Sequence, residues 1–322
     1  MSESAVDQAG EAGRAAEPRV AVVIPCLDEA PTVEKVVRDF SQALPDASIY
    51  VFDNGSTDGT AEAARRAGAT VVHSPQRGKG NVIRHMSDEV EADLYVLVDG
   101  DDTYPAEAAP ALIERFRRDG LDMLVATRLE QFGSGSFRPF HHLGNRMLSG
   151  LIRLVFRTAC TDVLSGYRIL SAGLVQLVRL RTRGFEVETE LTLQALTKRL
   201  ALAEMPIDYR SRPEGSESKL STWSDGLLIL RCIILIFKDY KPLLFFGGLA
   251  LLLTLGSLAI GSAPVADFIE SRYVYHVPRA ILAAALAILA LVAVTAGLIL
   301  DTIAKLHQET IELWKHHLRD RR

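Results

Sequence analysis

The chain has 322 residues, 48% hydrophobic and 24% charged, with 36 basic against 40 acidic side chains and a formal net charge of −4. That length supports one large or two smaller domains with a real core, and the composition excludes a disordered protein. No basic block precedes the last few residues, so no nucleic-acid partner is expected, and any phosphate contact must come from individually placed Lys and Arg. Cys26, Cys160 and Cys232 are odd in number, far apart and without Cys/His ligand spacing. Neither a disulfide framework nor a zinc site is expected from them, and a reducing cytoplasmic setting fits.

Residues 1–18 read as a short disordered tail with no apolar stretch that could serve as a signal peptide. From 19 to 222 the chain alternates short β-branched runs with helical patterns, the signature of an α/β domain with a mainly parallel sheet and crossover helices. Strands are predicted at 20–24 (VAVVI), 49–52 (IYVF), 70–72 (TVV), 94–98 (LYVLV) and 123–125 (MLV). A helix with apolar Val33, Val36, Val37, Phe40 and Leu44 links the first two.

The remainder is apolar in a different way. Residues 223–240, with Trp223 at the start and Arg231 within, hold an apolar stretch too short to cross a bilayer, and an interfacial amphipathic helix is expected. Residues 242–262 (PLLFFGGLALLLTLGSLAIGS) and 281–300 (ILAAALAILALVAVTAGLIL) carry no charge, and stretches of about 20 such residues span a lipid bilayer as helices. Arg231, Lys238 and Lys241 precede the first span, and Lys305, Lys315, Arg319, Arg321 and Arg322 follow the second. The positive-inside bias therefore predicts a multi-pass protein of the cell membrane, with the catalytic domain, both termini and a basic 301–322 tail in the cytoplasm.

Chemistry concentrates where the strands stop. The first ends in Pro25-Cys26-Leu27-Asp28-Glu29, the second in Asp53-Asn54-Gly55-Ser56-Thr57-Asp58, and the fourth in Asp99-Gly100-Asp101-Asp102. A parallel sheet collects these clusters at its carboxyl edge, where open α/β sheets bind ligands. One acidic turn alone is an ordinary helix cap, and Asp58 is read as a cap for the helix that follows it. Three such turns on one edge, one an Asp-x-Asp after an apolar strand, point to a site for a metal and a nucleotide.

The segments VVIPCLDEAPTV (22–33), DNGSTDGT (53–60), RGKGN (77–81), VDGDDTYP (98–105), TDVLSGYR (161–168) and RPEGSESKL (212–220) together resemble the family 2 glycosyltransferases of GT-A fold. Within that family the chain is most similar to the dolichyl- or polyprenyl-phosphate sugar synthases, such as the dolichyl-phosphate mannose synthases. The resemblance implies inverting transfer of one sugar from a UDP- or GDP-sugar to a polyprenyl phosphate at a lipid bilayer, giving a β-linked lipid phosphosugar. It implies Pro25, Leu27, Glu29 and Asp53 around the base and ribose, and Arg77 and Lys79 near the nucleotide or its phosphates. Asp99 is expected beside the nucleotide as well. Asp99 and Asp101 are the expected ligands of Mg²⁺ or Mn²⁺, since hard oxygen-bound cations neutralise a leaving diphosphate.

A lipid monophosphate is mostly dianionic at neutral pH and already nucleophilic, so holding an anion beside another anion is the greater problem. Arg128, Arg146, Arg212 and Lys219 lie in segments that resemble the acceptor-phosphate elements, with the three arginines expected to form a clamp. Asp162 matches a position assigned as catalytic base in such enzymes, and the residues leave open whether it acts as a base or only orients substrate. Two departures are visible. Thr103 stands where many relatives carry a metal-holding Gln, and no Gln-x-x-Arg-Trp element is present, which favours single transfer over polymerisation. The adjacent His141 and His142 read as loop residues. The identity of the sugar and nucleotide, the polyprenol length and the oligomeric state, a homo-oligomer included, are not fixed by any motif. Transfer to another lipid or glycan, and an inactive GT-A binding protein, stay open as alternatives.

Overall fold

In a computed structural model the described residues are 18–128, 149–180 apart from 151, 154, 155, 157 and 159, then 187–210 and 234–319 apart from 236. The N-terminal tail, His141, His142, Arg146, Arg212, Lys219 and most of the expected interfacial helix lie outside them. Of that helix, residues 234, 235 and 237–240 are described and are helical.

The elements of the α/β unit follow one another as β1 (Val20–Cys26), α1 (Ala30–Ala43), β2 (Ser48–Asp53), α2 (Thr60–Arg66), β3 (Thr70–His73), α3 (Lys79–Glu89) and β4 (Leu94–Leu97). A 3₁₀ turn (Ala106–Ala108) leads into α4 (Ala109–Arg118) and β5 (Met123–Thr127). Then come β6 (Arg168–Ser171), α5 (Ala172–Leu177), α6 (Val187–Thr197) and β7 (Leu202–Pro206). The strands form one sheet in the order β3-β2-β1-β4-β6-β5-β7. β1 pairs in parallel with β2 and β4, while β6 runs antiparallel to both β4 and β5. The mainly parallel sheet is thus as expected, and the reversed β6 and the closing β7 add to it.

Alternation along β1 explains the two-sided core. Val22 and Ile24 face α1, α2 and α4 together with Val33, Val37, Phe40 and Leu112. Ala21 and Val23 face α3, α5 and α6 with Phe52, Val82, Met86, Leu174 and Leu191. Successive strand residues point to opposite faces, so a strand covered by helices on both sides reads as continuously apolar. Chain order reverses between β1 and β4. The loops after these strands and after β2 therefore open onto one crevice at a topological switch point.

The second unit contains two long helices, α7 (Pro242–Ser271) and α8 (Val277–Arg319), both long and apolar enough to cross a membrane. Both are longer than the spans predicted from hydropathy. α7 runs on past Ser262 with Pro264 inside it, and residues 301–319 continue α8 as helix rather than forming a separate tail. No Pro or Gly interrupts residues 301–319, and the Lys305–Asp301 pair at 2.8 Å supports the continuation. The two helices pack against each other through small residues and turn large apolar ones outward. Ala250, Ala290 and Ala293 are buried between the helices, whereas Leu252, Leu258, Ile281 and Leu291 face outward. Ser257 donates to the carbonyl of Ala283 across the pair at 2.7 Å.

Gly297 marks a close helix approach, because a Cβ there falls 3.0 Å from Cβ of Phe246 and 3.6 Å from Cα of Leu243. Gly297→Leu is expected to destabilise the detergent-solubilised protein by about 1–3 kcal/mol through forced separation of the helices. Gly248→Ala, whose added methyl meets nothing within 4 Å, should be neutral. Thermal unfolding of the two variants checks this, and equal melting temperatures contradict it.

Candidate active site

The loops after β1 and β2 are tied together by reciprocal hydrogen bonds. The Asp28 amide donates to Oγ of Ser56 at 3.0 Å, and the Thr57 amide returns a bond to Oδ1 of Asp28 at 2.7 Å. The Glu29 amide donates to Oγ1 of Thr60 at 2.8 Å, and the Ala30 amide to Oδ2 of Asp58 at 2.9 Å. Asp58 also accepts the Thr60 amide at 3.1 Å, so it caps the first residues of both α1 and α2. Burial raises its pKa, but the bonds from Thr60 and Ala30 outweigh that and hold the carboxyl below its ordinary value. Asp53, at the end of β2, is buried and accepts the Ser56 amide at 3.0 Å. Pro25, Leu27, Glu29 and Asp53 consequently lie together at the carboxyl ends of β1 and β2.

Asp99 is set by strand register. In the antiparallel β4–β6 pair Leu97 lies opposite Arg168. Two residues further on, the same register puts Asp99 opposite Gly166. There a side chain is impossible, because a Cβ on Gly166 lands on the Asp99 carboxylate. Tyr104 fixes the approach by accepting the Gly166 amide at 2.9 Å, and burial pushes its phenol well above the ordinary range. Gly100 is confined in the same way, with Sγ of Cys26 2.6 Å from its would-be Cβ and its carbonyl accepting Oγ1 of Thr32 at 2.6 Å. Asp101 is buried and accepts the hydroxyl of Thr103 at 2.6 Å. Thr103 thus braces Asp101.

The segment 76–79 is shaped by Asn54. Its Nδ2 donates to the Gln76 carbonyl at 2.7 Å and its Oδ1 accepts the Gly78 amide at 2.6 Å. Gly78 has φ 115°, a conformation that suits glycine. The turn directs Arg77 to the Gly55 carbonyl at 3.4 Å, exposed at the rim, and sends Lys79 inward. Lys79 Nζ pairs with Oδ1 of Asp99 and lies 2.5 Å from Oε1 of Glu188 on α6. Burial lowers its pKa, yet the two carboxylates outweigh burial and hold the ammonium above the ordinary lysine value. It is therefore charged throughout the physiological range.

Arg128 follows β5 and pairs with Asp162 through both ends of its fork, Nε to Oδ2 at 2.9 Å and Nη2 to Oδ1 at 3.0 Å. Its own amide adds a third bond to Oδ2 at 3.2 Å. Asp162 is fully buried, and its segment is anchored by Glu204 of β7, which accepts the Thr161 amide at 2.8 Å and the Asp162 amide at 3.1 Å. The guanidinium also lies 5.5 Å from the ring centre of Tyr209. Burial, reinforced by Glu204, pushes the Cys160 thiol well above its ordinary value, which excludes a reactive thiolate there.

Of the expected residues, Pro25, Leu27, Glu29, Arg77, Lys79 and Asp101 gather with Asp53 and Asp99 at the carboxyl edge, and Arg128 and Asp162 hold each other. Arg146, Arg212 and Lys219 lie outside the described residues. Among the described residues no three His, Cys, Asp or Glu side chains form a ready metal cluster. Asp99 and Asp101 nonetheless offer the oxygen donors that a hard divalent ion prefers, with the remaining positions open to phosphate oxygens and water. Glu188, Tyr104, Tyr209 and Gly166 adjoin these residues and were not singled out from the sequence. The signal for Glu188 was present, since α6 reads VETELTLQALT and buries acids among apolar residues without a polar stripe.

Replacing Arg128 by Met strands a fully buried carboxylate and is expected to cost about 3–5 kcal/mol of stability. Arg128→Lys keeps the charge but loses the second arm of the fork, for a smaller cost of about 1–3 kcal/mol. Chemical denaturation of the two variants checks the order, and equal losses contradict a bidentate pair.

The family described as "Glycosyl transferase family 2" matches residues 21–176. Over 122 residues the chain is 50% identical to protein RfbJ of Shigella flexneri, covering 38% of this chain and 95% of that protein. Glycosyltransferase AglJ of Haloferax volcanii is 28% identical over 91% of this chain and 96% of its own length. The dolichyl-phosphate hexose transferase of the same archaeon is 26% identical over 67% and 92%. The fold matches the crystal structure of glucosyl-3-phosphoglycerate synthase from Mycobacterium tuberculosis in complex with Mn²⁺, UDP and glucosyl-3-phosphoglycerate. That match has a TM-score of 0.57 and 21% identity over 70% of this chain and 80% of that one. The reversed β6, the acidic carboxyl edge and these relatives agree: the chain is a glycosyltransferase of GT-A fold and belongs to glycosyl transferase family 2.

Proposed function

We propose that this glycosyltransferase moves one hexose from a nucleoside diphosphate sugar to a polyprenyl phosphate in the membrane, inverting the anomeric centre in one in-line displacement. The donor half rests on the carboxyl-edge crevice. Pro25, Leu27, Glu29 and Asp53 line the side proposed for the base and ribose, Arg77 and Lys79 the side proposed for the diphosphate. Asp99 and Asp101 are proposed to hold Mg²⁺ or Mn²⁺, which when bound supplies Lewis-acid neutralisation of the leaving diphosphate. The structural relative bound to Mn²⁺ and UDP supports this assignment.

The observation that carries the acceptor half is the Arg128–Asp162 pair. A sugar hydroxyl must lose a proton as it attacks, and a general base needs hydrogen-bond reach and an open lone pair. Asp162 is fully buried and both its oxygens bond Arg128. That geometry favours an orienting role and an acceptor that needs no base, which a phosphate dianion is. Two helices of membrane-spanning length in the same chain and the dolichyl-phosphate hexose transferase among its relatives point to a lipid carrier for that phosphate. Arg146, Arg212 and Lys219 are proposed as its phosphate contacts. Arg128, committed to Asp162, shapes that side of the site more than it binds the anion.

The test supplies full-length protein in liposomes containing undecaprenyl or dolichyl phosphate with a panel of UDP- and GDP-sugars, read by mass spectrometry. One donor should yield a lipid carrying a single phosphate and a single hexose. Asp101→Asn should lower that rate by about 10²–10³-fold, the usual cost of removing a charge-stabilising group. Hexose found only on another lipid or a glycan contradicts the acceptor. Full Asp101→Asn activity in excess chelator contradicts the metal.

A further inference from the structure

A buried cation already occupies the carboxylate expected to hold the metal. The Lys79 side chain is 8% exposed and its ammonium bridges Asp99 and Glu188, whose side chains are 30% and 5% exposed. Glu188 is not fully satisfied by this, because among the described residues its buried Oε2 has no hydrogen-bond partner. The trio therefore carries one positive and two negative charges, with an acceptor left over. It is built for more positive charge, or more donors, than Lys79 supplies.

Two consequences follow from electrostatics alone. A bare divalent ion approaching Asp99 meets an ammonium at contact distance, in surroundings that screen it poorly. Lys79 in turn has no reason to leave, since departure strands the buried Glu188 carboxylate and the half-buried Asp99 carboxylate. The exchange becomes favourable only when a metal compensates Asp99 and a diphosphate receives the ammonium in the same event. Lysine suits this role because its charge rides on a flexible four-carbon stem. Here the stem springs from the first residue of α3, immediately after Gly78.

We propose that Lys79 is an internal cation that holds the place of the divalent ion on Asp99 and passes to the diphosphate when metal and nucleotide arrive together. Metal binding thereby waits on the nucleotide. This rests on the reading of Asp99 and Asp101 as metal ligands and adds to it an order of assembly. Glu188 is a positioning residue: it keeps Lys79 in the site and sets the net charge that the metal meets. The idling enzyme stays metal-poor, and a nucleotide-free crevice does not accumulate divalent cations.

Charge arithmetic gives the test opposite signs in two variants. Lys79→Met leaves the trio at two negative charges, Glu188→Gln leaves it neutral, and the double variant restores the single negative charge of the wild type. Calorimetric titration of the full-length protein with Mn²⁺, with and without UDP or GDP, should find weak binding to wild type that the nucleotide tightens. Lys79→Met should bind Mn²⁺ alone at least about tenfold more tightly than wild type, with the nucleotide's enhancement largely lost. Glu188→Gln should bind it about tenfold more weakly, and the double variant should return toward wild type. Thermal unfolding of each variant identifies any that misfold, and if Lys79→Met is one of them the Glu188→Gln titration decides alone. An unchanged or reversed Mn²⁺ affinity in a folded variant overturns the exchange while leaving the metal site standing. Wild-type protein that binds no Mn²⁺ even with nucleotide overturns the metal reading and the exchange together.

Discussion

A strand running backwards through an otherwise parallel sheet brings its entry, not its exit, to the edge where its neighbours end. β6 does this between β4 and β5, and the Leu97–Arg168 register then carries the segment before β6 onto the segment after β4. Asp99 and Gly166 meet there with no space for a Cβ. Because the contact is steric, it fixes the carboxylate more sharply than a hydrogen bond does. Tyr104 then closes on Gly166, Thr103 on Asp101, and Lys79 on Asp99. The segment 161–168 is in this sense one wall of the site, held from behind by Glu204 and by the fully buried Arg168. Arg168 donates to the carbonyls of Ser165 at 2.9 Å and Val163 at 2.8 Å.

Charge balance is the second constraint, and it explains why the site contains so many ion pairs. A charge removed from water must find a partner or neutralise, and the α/β unit does the former at each deep position. Arg128 takes Asp162, Lys79 takes Asp99 and Glu188, and Arg168 takes backbone carbonyls and Thr192. The two ion-paired clusters differ in what they leave over. Arg128 and Asp162 satisfy each other and form a fixed wall, whereas the Lys79 cluster keeps an oxygen unbonded among the described residues and an excess negative charge. A cationic or hydrogen-bonding ligand has a place in the second cluster and none in the first.

The parts legible in the sequence were those written in local patterns. β1 to β5 showed as β-branched runs, the acidic turns as Asp and Gly after an apolar strand, and the hairpin as two uncharged stretches. β6 was not legible as a strand. It has four residues, begins with a buried Arg and pairs antiparallel, and none of these has a short-range signature. The Lys79–Glu188 contact joins residues more than a hundred positions apart, and only the sheet order brings them together. Hydropathy also understated the helices. It reads where charges begin, but helix ends are set by backbone: Arg272 closes α7 at φ 56°, and nothing breaks α8 until Arg319.

The two units differ in physical character: one gathers acidic residues at the carboxyl edge of its sheet, and the other holds two apolar helices of membrane-spanning length. The central proposal is that the carboxylates of Asp99 and Asp101 after β4, with Lys79 beside them, form one metal–diphosphate site. Its most direct test is a structure of the full chain with Mn²⁺ and UDP, using anomalous scattering to locate the metal. The account predicts one Mn²⁺ bound by Asp101 and Asp99, bridged to the diphosphate, with Lys79 Nζ moved from Asp99 to a phosphate oxygen. Mn²⁺ and UDP bound away from the β4 edge, with the Lys79–Asp99 pair intact, would contradict it.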